Sequence, residues 1–292
     1  MKKIFIILVI GGVVLGLIGI SQAEPTNQLT KPIPASDIKI FKKIPVSDEI
    51  TKGKPSSPSG KEKGYSGAAT GTLGAEAMGN KYAVVVGICD YPGNDYDLCT
   101  SDGDSYNMRT ALNEKYGFAL NNIKWFRDMG GVGYGIPTKQ NIIDAINSIK
   151  AVATADDEVV FFFSGHGANG TAGDGDAELT DESIVVHDDD GLIDADGSAE
   201  LDLIWDGELS GLFSGFLTSR IVFVFDSCLA GGMNDVADAG RVVAMATEET
   251  KSAYVYSTGV LGEGVFSHYF VNDGMIQGLA DGTNALKISD GT

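Results

Sequence analysis

The chain has 292 residues, 43% of them hydrophobic, enough for one sizeable α/β domain plus an extension. A formal net charge of −19 argues against nucleic acid as a partner and suits cations or basic peptides. The odd count of three cysteines, Cys89, Cys99 and Cys228, leaves at least one thiol free.

Met1-Lys2-Lys3 is a basic start, Ile4 to Ile20 is apolar, and Ser21-Gln22-Ala23 is a small-x-small cleavage site. Residues 1–23 therefore read as a signal peptide, and the protein is expected to be exported, secreted or held at the cell surface. The apolar stretch is long for such a signal and just short of a comfortable membrane span, so an uncleaved N-terminal anchor is the alternative. Residues 24–79 read as a disordered linker or pro-segment. They are rich in Pro, Ser and Gly, show no helical or strand period, and offer too little apolar surface to offset ordering entropy. Residues 80–292 form the folded domain.

Within it, residues 82–89 are a buried strand, 104–114 a helix with Met108, Ala111 and Leu112 on one face, and 122–126 a short strand. Residues 138–149 are a second helix, capped by Thr138 and striped with Ile142, Ile143, Ile146 and Ile149. The unbroken apolar run from Glu158 leads to Ser164-Gly165-His166-Gly167. Residues 167–203 read as a long acidic loop with one apolar piece, Ile184-Val185-Val186, and 206–216 as a helix. A second unbroken run, from Arg220, ends in Asp226-Ser227-Cys228. Strands at 241–246 and 253–257 and a helix at 264–279 complete the domain. Strands alternating with helices imply an α/β fold, a mostly parallel sheet with helices on both faces.

The two unbroken runs fit strands covered on both faces of a parallel sheet, whose sites lie beyond the carboxyl ends of the strands. They would bring the His166 imidazole and the Cys228 thiol to one edge, as a Cys–His nucleophilic enzyme requires. The glycines beside His166 let backbone approach a reacting carbonyl, and the Gly167 and Cys228 amides are natural donors to a tetrahedral oxyanion. Alone, a buried Cys or His is more often packing or a satisfied core group; both at matching strand ends favour catalysis. Export would permit a Cys89–Cys99 disulfide. The plainer reading, preferred here, is two small residues near a strand end.

Ser164-Gly165-His166-Gly167 and Asp226-Ser227-Cys228, led by the strand Lys81-Tyr-Ala-Val-Val-Val-Gly-Ile, resemble the motifs of caspase-like cysteine peptidases. The resemblance is to the metacaspases and their prokaryotic relatives of the peptidase C14 group, over about residues 81–279. It implies a caspase-like three-layer sandwich with a mostly parallel six-stranded sheet, a His166–Cys228 dyad, and protein or peptide substrates. True caspases carry Gln-Ala-Cys at the nucleophile, so cleavage after Asp is not expected. Leu229 and Ala230 depart from the Asp-Ser-Cys-His-Ser-Gly of metacaspases.

In that family an Asp two residues before the nucleophile helps form an acidic pocket for the residue preceding the scissile bond, P1. Asp226 takes that place, Ser164 matches a further pocket position, and Asp104 aligns with a third through Leu98 and Met108. Asp102 is the alternative register, and capping of the helix by Asp104 is compatible with a pocket role. A carboxylate pocket selects a cation by charge-assisted pairing, so a basic P1, Arg or Lys, is expected.

Metacaspases often need calcium. Asp181-Glu182-Ser183-Ile184-Val185-Val186-His187-Asp188 resembles the family's Asp-Asp-x-Ile-x-x-x-Asp, and Ile204-Trp205-Asp206-Gly207-Glu208 its Ile-x-Asp-Asp-Glu, with Gly207 replacing one ligand. Asp235 matches another. The resemblance thus implies a Ca²⁺ site drawing on Asp181, Asp206 and Asp235. Residues 151–219 lack Lys and Arg and carry Asp and Glu throughout, which suits calcium loops and equally a solvated acidic surface.

With a basic P1, Lys42, Lys43, Lys52, Lys54, Lys61 and Lys63 are candidate autocleavage points, whereas Arg220, inside a strand, is the sole basic residue between His166 and Cys228. Residues 280–292 are short and polar where the family continues with a helix, as a partial gene product would be. A monomer is expected, with no nucleic-acid partner and with membrane contact only through an uncleaved N-terminus. The rival readings are a non-catalytic caspase-fold binding module, a legumain- or gingipain-like peptidase, which Asp-Ser-Cys disfavours, and a calcium-binding surface protein.

Overall fold

In chain order the strands are β1 (Lys39–Phe41), β2 (Ile44–Val46), β3 (Ala69–Gly71), β4 (Lys81–Gly87), β5 (Ile123–Arg127), β6 (Glu158–Ser164), β7 (Gly167–Gly170), β8 (Asp181–His187), β9 (Leu201–Trp205), β10 (Ile221–Asp226), β11 (Arg241–Met245) and β12 (Tyr254–Tyr256). The helices are α1 (Thr100–Glu114), α2 (Lys139–Lys150), α3 (Asp206–Phe213) and α4 (Val265–Ser267), which continues as a π-helix over His268–Ile276. This computed structural model describes residues 38–46, 69–74, 76–91, 96–129, 135–172, 180–187, 201–256 and 263–279. The chain divides into two units, Met1–Lys31, outside the described residues, and Pro32–Thr292, which holds every element named.

The two apolar runs, β6 and β10, are neighbours at the centre of a six-stranded sheet ordered β3-β11-β10-β6-β4-β5. All pairs are parallel except β3 on β11. Both faces of the central strands are covered, which is why they show no polar alternation. Phe161, Phe163, Phe223 and Phe225 pack on one side with Ile142, Ile146 and Ile149 of α2 and Leu209 and Phe213 of α3. Val160, Phe162 and Val224 face the other way, onto Met108, Ala111 and Leu112 of α1 and Val271 of the last helix. The result is the expected three-layer α/β sandwich. Thr138 caps α2, accepting a hydrogen bond from the Asn141 amide.

Four features differ from the sequence reading. Within 167–203, read as mostly loop, the described residues carry strands: β7, β8 and β9 join β1 in an antiparallel sheet. Their acidic composition concealed this, because Asp181, Glu182 and Ser183 of β8 are buried. Within 24–79, β1, β2 and β3 are strands. Each has three residues, too short to show a period, and each forms by pairing with β7, β12 or β11. The strand at 253–257 lies outside the main sheet, whose sixth member is β3. Cys89 and Cys99, read as separate small residues, are disulfide-bonded, and Cys228 is free.

The signal-peptide reading, the acidic run 188–200 and the tail 280–292 fall outside the described residues. Among the described residues no helix is long and apolar enough to cross a membrane.

Candidate active site

β6 and β10 are in register, with Ser164 beside Asp226. His166 and Cys228 each follow two residues later, so they leave the same sheet edge side by side. Gly167 is the contact between them: a β-carbon there would collide with the Cys228 carbonyl oxygen. Only glycine lets these two backbone segments approach so closely.

His166 is 2% exposed. Its amide donates to the Tyr91 hydroxyl at 2.9 Å, and Tyr91 in turn donates to the Val185 carbonyl at 3.1 Å. The Tyr91 ring packs on the imidazole with centroids 4.7 Å apart. Nε2 lies 2.7 Å from the Tyr96 carbonyl. A carbonyl only accepts, so in the neutral ring Nε2 carries the proton and Nδ1 holds the lone pair. Nδ1 is buried and makes no hydrogen bond of ordinary geometry, although the Phe41 carbonyl also faces the ring. Burial lowers the imidazole to about 4, against the Tyr96 carbonyl, which favours the charged ring; Lys43 and Lys42 lower it further.

Cys228 is 1% exposed, and its Sγ accepts from the Ala253 amide at 3.3 Å. Burial pushes its thiol above the ordinary value, opposed by the Ala253 amide. The next residue, Leu229, has φ 59°, left-handed and unusual for a branched side chain. The nucleophile candidate therefore sits on a tight turn at the strand end.

Beside the dyad is a buried acidic pocket. Asp226 accepts from the Ser267 amide at 3.0 Å and hydroxyl at 2.6 Å. Asp104 accepts from the Ser164 hydroxyl at 2.8 Å and the Gly264 amide at 3.0 Å. Because α1 starts at Thr100, Asp104 lies inside the helix and does not cap it. Asp102 is held instead by Arg127, at 2.8 and 2.5 Å, so Asp104 is the pocket carboxylate. Burial, then the neighbouring Asp226 charge, raises Asp104 to about 7, opposed by Lys43.

The pocket is filled by a residue the sequence reading had not placed there. Lys43 Nζ lies 2.7 Å from Asp226 and donates to the Ser164 hydroxyl at 3.2 Å, with both charged side chains fully buried. Gly264, Ser267, Tyr91 and Tyr96 were also missed. All five belong to loops, short strands or helix starts whose sequence carries no period, and each is placed by a tertiary contact.

The three predicted calcium ligands lie on β8, α3 and the 3₁₀ turn Ala230–Val236, elements that pack against one another. Asp181 and Asp206 are buried. Among the described residues no three His, Cys, Asp or Glu side chains gather closely enough to hold a metal ion.

The titration of His166 has a stability consequence. The unfolded imidazole takes its proton near 6.5, whereas the folded one resists until about 4. This contribution is fully present above 6.5 and is lost as pH falls towards 4. Asp104 has the opposite sign, stabilising below the ordinary carboxylate value and losing that effect as pH rises through about 7. Comparison with His166→Gln isolates the imidazole. Between pH 6.5 and 4, wild type is expected to lose about 3 kcal/mol more unfolding free energy than the variant. Parallel urea-melt curves for the two proteins would rule this out.

Comparison with known proteins bears on the same region. A family profile described as metacaspase, peptidase C14 domain, matches residues 81–237. Metacaspase-1 of Yarrowia lipolytica is 30% identical over 191 residues, covering 65% of this chain and 36% of its own. Metacaspase-1 of Debaryomyces hansenii is 30% identical over 158 residues, 54% of this chain and 34% of its own. Metacaspase-3 of Arabidopsis thaliana is 29% identical over 161 residues, 54% of this chain and 42% of its own. The chain thus spans between a third and a half of the length of these relatives. A solved structure from Geobacter sulfurreducens superposes with a TM-score of 0.37 at 21% identity over 51% of each chain, too low to support an argument. The family match covers more than half of the 292 residues, and the chain belongs to the metacaspase, peptidase C14 domain family.

Proposed function

We propose that the chain is an exported cysteine endopeptidase that cleaves after Arg or Lys. The observation that carries this reading is the Lys43 ammonium, buried between Asp226 and Ser164 beside Asp104 and next to Cys228. A pocket that accommodates one primary ammonium with charge-assisted hydrogen bonds is suited to the P1 side chain of a basic substrate.

The chemistry follows from the dyad. Nδ1 of His166 takes the Cys228 proton as sulfur attacks the carbonyl carbon. The Gly167 and Cys228 amides would stabilise the oxyanion. The imidazolium then protonates the departing amine, leaving a thioester that water hydrolyses. Substituting Gly167 by Ala drives a methyl into the Cys228 carbonyl. Hydrolysis is expected to fall on the order of a hundredfold, because displacing reacting groups by about 1 Å costs that much. Peptide turnover by folded Gly167→Ala at the wild-type rate would exclude this close approach as a requirement.

Export is supported by the N-terminal basic and apolar pattern and by the Cys89–Cys99 disulfide, which suits an oxidising compartment. Calcium dependence rests on the family resemblance alone, and no step is routed through a metal. The test is hydrolysis of matched fluorogenic peptides with Arg, Lys, Asp or Asn at P1, with calcium and with chelator. Cleavage after Arg and Lys is expected. Preference for Asp or Asn would overturn the pocket assignment, and equal rates in chelator would remove calcium.

A further inference from the structure

We infer that residues 38–46 are a built-in inhibitor, lying across the candidate active site in the direction opposite to a substrate with Lys43 seated in the acidic pocket. The inference rests on the dyad and pocket read above and deepens them by naming what occupies the cleft.

The segment is held at both ends. β1 pairs antiparallel with β7, placing Phe41 beside Gly167. β2 pairs parallel with β12, and the Ile44 amide donates to the Ala253 carbonyl at 2.8 Å. Phe41 packs on Cys228, Leu229 and Ala253, and Lys42 lies over the Tyr96 ring at 4.5 Å. Three lysines, Lys39, Lys42 and Lys43, thus come from a short stretch of a chain whose net charge is −19. Charge and backbone pairing favour the same occupant.

Direction follows from sheet order and acid–base chemistry. β10, which leads to Cys228, lies between β6, which leads to His166, and β11, which leads towards Ala253 and β12. His166 and Ala253 therefore flank the thiol on opposite sides. The imidazole must protonate the leaving amine, which belongs to the residue after the scissile bond. A substrate's C-terminal portion consequently lies on the His166 side. In this segment the residues before Lys43 lie there: β1 runs along β7, and the Phe41 carbonyl faces the imidazole. The residues after Lys43 run along β12, on the other side. Lys43 offers the pocket its cation while the Lys43–Ile44 amide is presented with reversed polarity. Such a ligand blocks without being cut. The seated lysines also oppose protonation of His166, with the Phe41 carbonyl of the same segment acting less strongly the other way.

The test uses the full chain, with Lys43→Ala and, in case emptying the pocket unfolds the protein, Ile44→Pro, which deletes the amide that bonds Ala253. Cys89 and Cys99 are bonded, so Cys228 is the single alkylatable thiol. Iodoacetamide labelling followed by intact mass is expected to run at least about tenfold faster in either folded variant than in wild type. Arg-P1 peptide turnover should rise in parallel, and peptide mapping should find the Lys43–Ile44 bond intact in incubated wild type. Equal labelling rates in all three proteins would overturn the occlusion. Cutting of Lys43–Ile44 as fast as the free peptide would overturn the reversed direction. Faster labelling without basic-P1 turnover supports the occlusion and counts only against the substrate reading.

Discussion

Replacement of Cys228 by alanine is expected to abolish peptide hydrolysis, a loss of roughly 10⁴-fold or more, since no other group can form the covalent intermediate. The fold should survive. The sulfur's bond is to the Ala253 amide, and leaving that donor unsatisfied costs about 1–3 kcal/mol, a tolerable fraction of a domain's stability. The check is turnover of an Arg-P1 peptide alongside a thermal melt. An alanine variant that melts within a few degrees of wild type and still turns over Cys228-independently would remove the dyad from the mechanism. A second control separates nucleophile from packing: Cys228→Ser keeps the size and polarity of the side chain but presents a weaker nucleophile. It is expected to be nearly as inactive as alanine.

Asp226→Asn is the second large effect, and the fully buried Lys43–Asp226 pair complicates it usefully. Loss of the carboxylate weakens any cationic P1; truncating a buried, hydrogen-bonded charge pair costs about 2–5 kcal/mol, or roughly 30- to several-thousand-fold. The same change leaves the Lys43 ammonium with a weaker partner, loosening the segment that fills the cleft. Absolute rates therefore mix two opposing effects. The ratio of kcat/KM for Arg against an uncharged P1 of similar length, measured within one protein, cancels the second. That ratio should collapse by on the order of 10²-fold in Asp226→Asn. An unchanged ratio would show that Asp226 does not read the P1 charge. Ser267 and Gly264 keep their contacts to the pocket carboxylates in wild type, so the asparagine must also re-satisfy the Ser267 donors. A melt on the same sample separates that cost from specificity.

What could be read from the sequence was whatever lay on the central strands. β6 and β10 are apolar on both faces, so each run stops visibly where the sheet ends and polar chemistry begins. Those stops put His166 and Cys228 at one edge, and the resemblance to metacaspases adds Ser164 and Asp226 as pocket residues. Asp104 was implied only by the resemblance to the metacaspase pattern, aligned through Leu98 and Met108, and its rival Asp102 is set aside by its ion pair with Arg127. The rest depended on partners distant in sequence. Lys43 looks like any linker lysine, because nothing local marks three-residue strands that exist only when β7 and β12 are folded beside them. The sheet β7–β8–β9 was obscured for a different reason. Its buried carboxylates at Asp181 and Glu182 follow neither the apolar run of a central strand nor the alternation of a half-exposed one. The disulfide was a matter of three-dimensional proximity, which a spacing of ten residues permits without requiring.

The position of β3 has an implication for how the chain tolerates being cut. It seals the open flank of the main sheet by pairing antiparallel along Val242–Ala244 of β11. Gly71, at φ +96°, comes so close to the Arg241 carbonyl that no larger residue fits. An unsealed flank is a template for edge-to-edge aggregation. A nick between residues 46 and 69 would separate the cleft-filling segment from this seal. Lys52, Lys54, Lys61 and Lys63 all fall in that interval. A cut there would leave β3 on β11, whereas a cut beyond Gly71 would detach it and open that flank of the sheet.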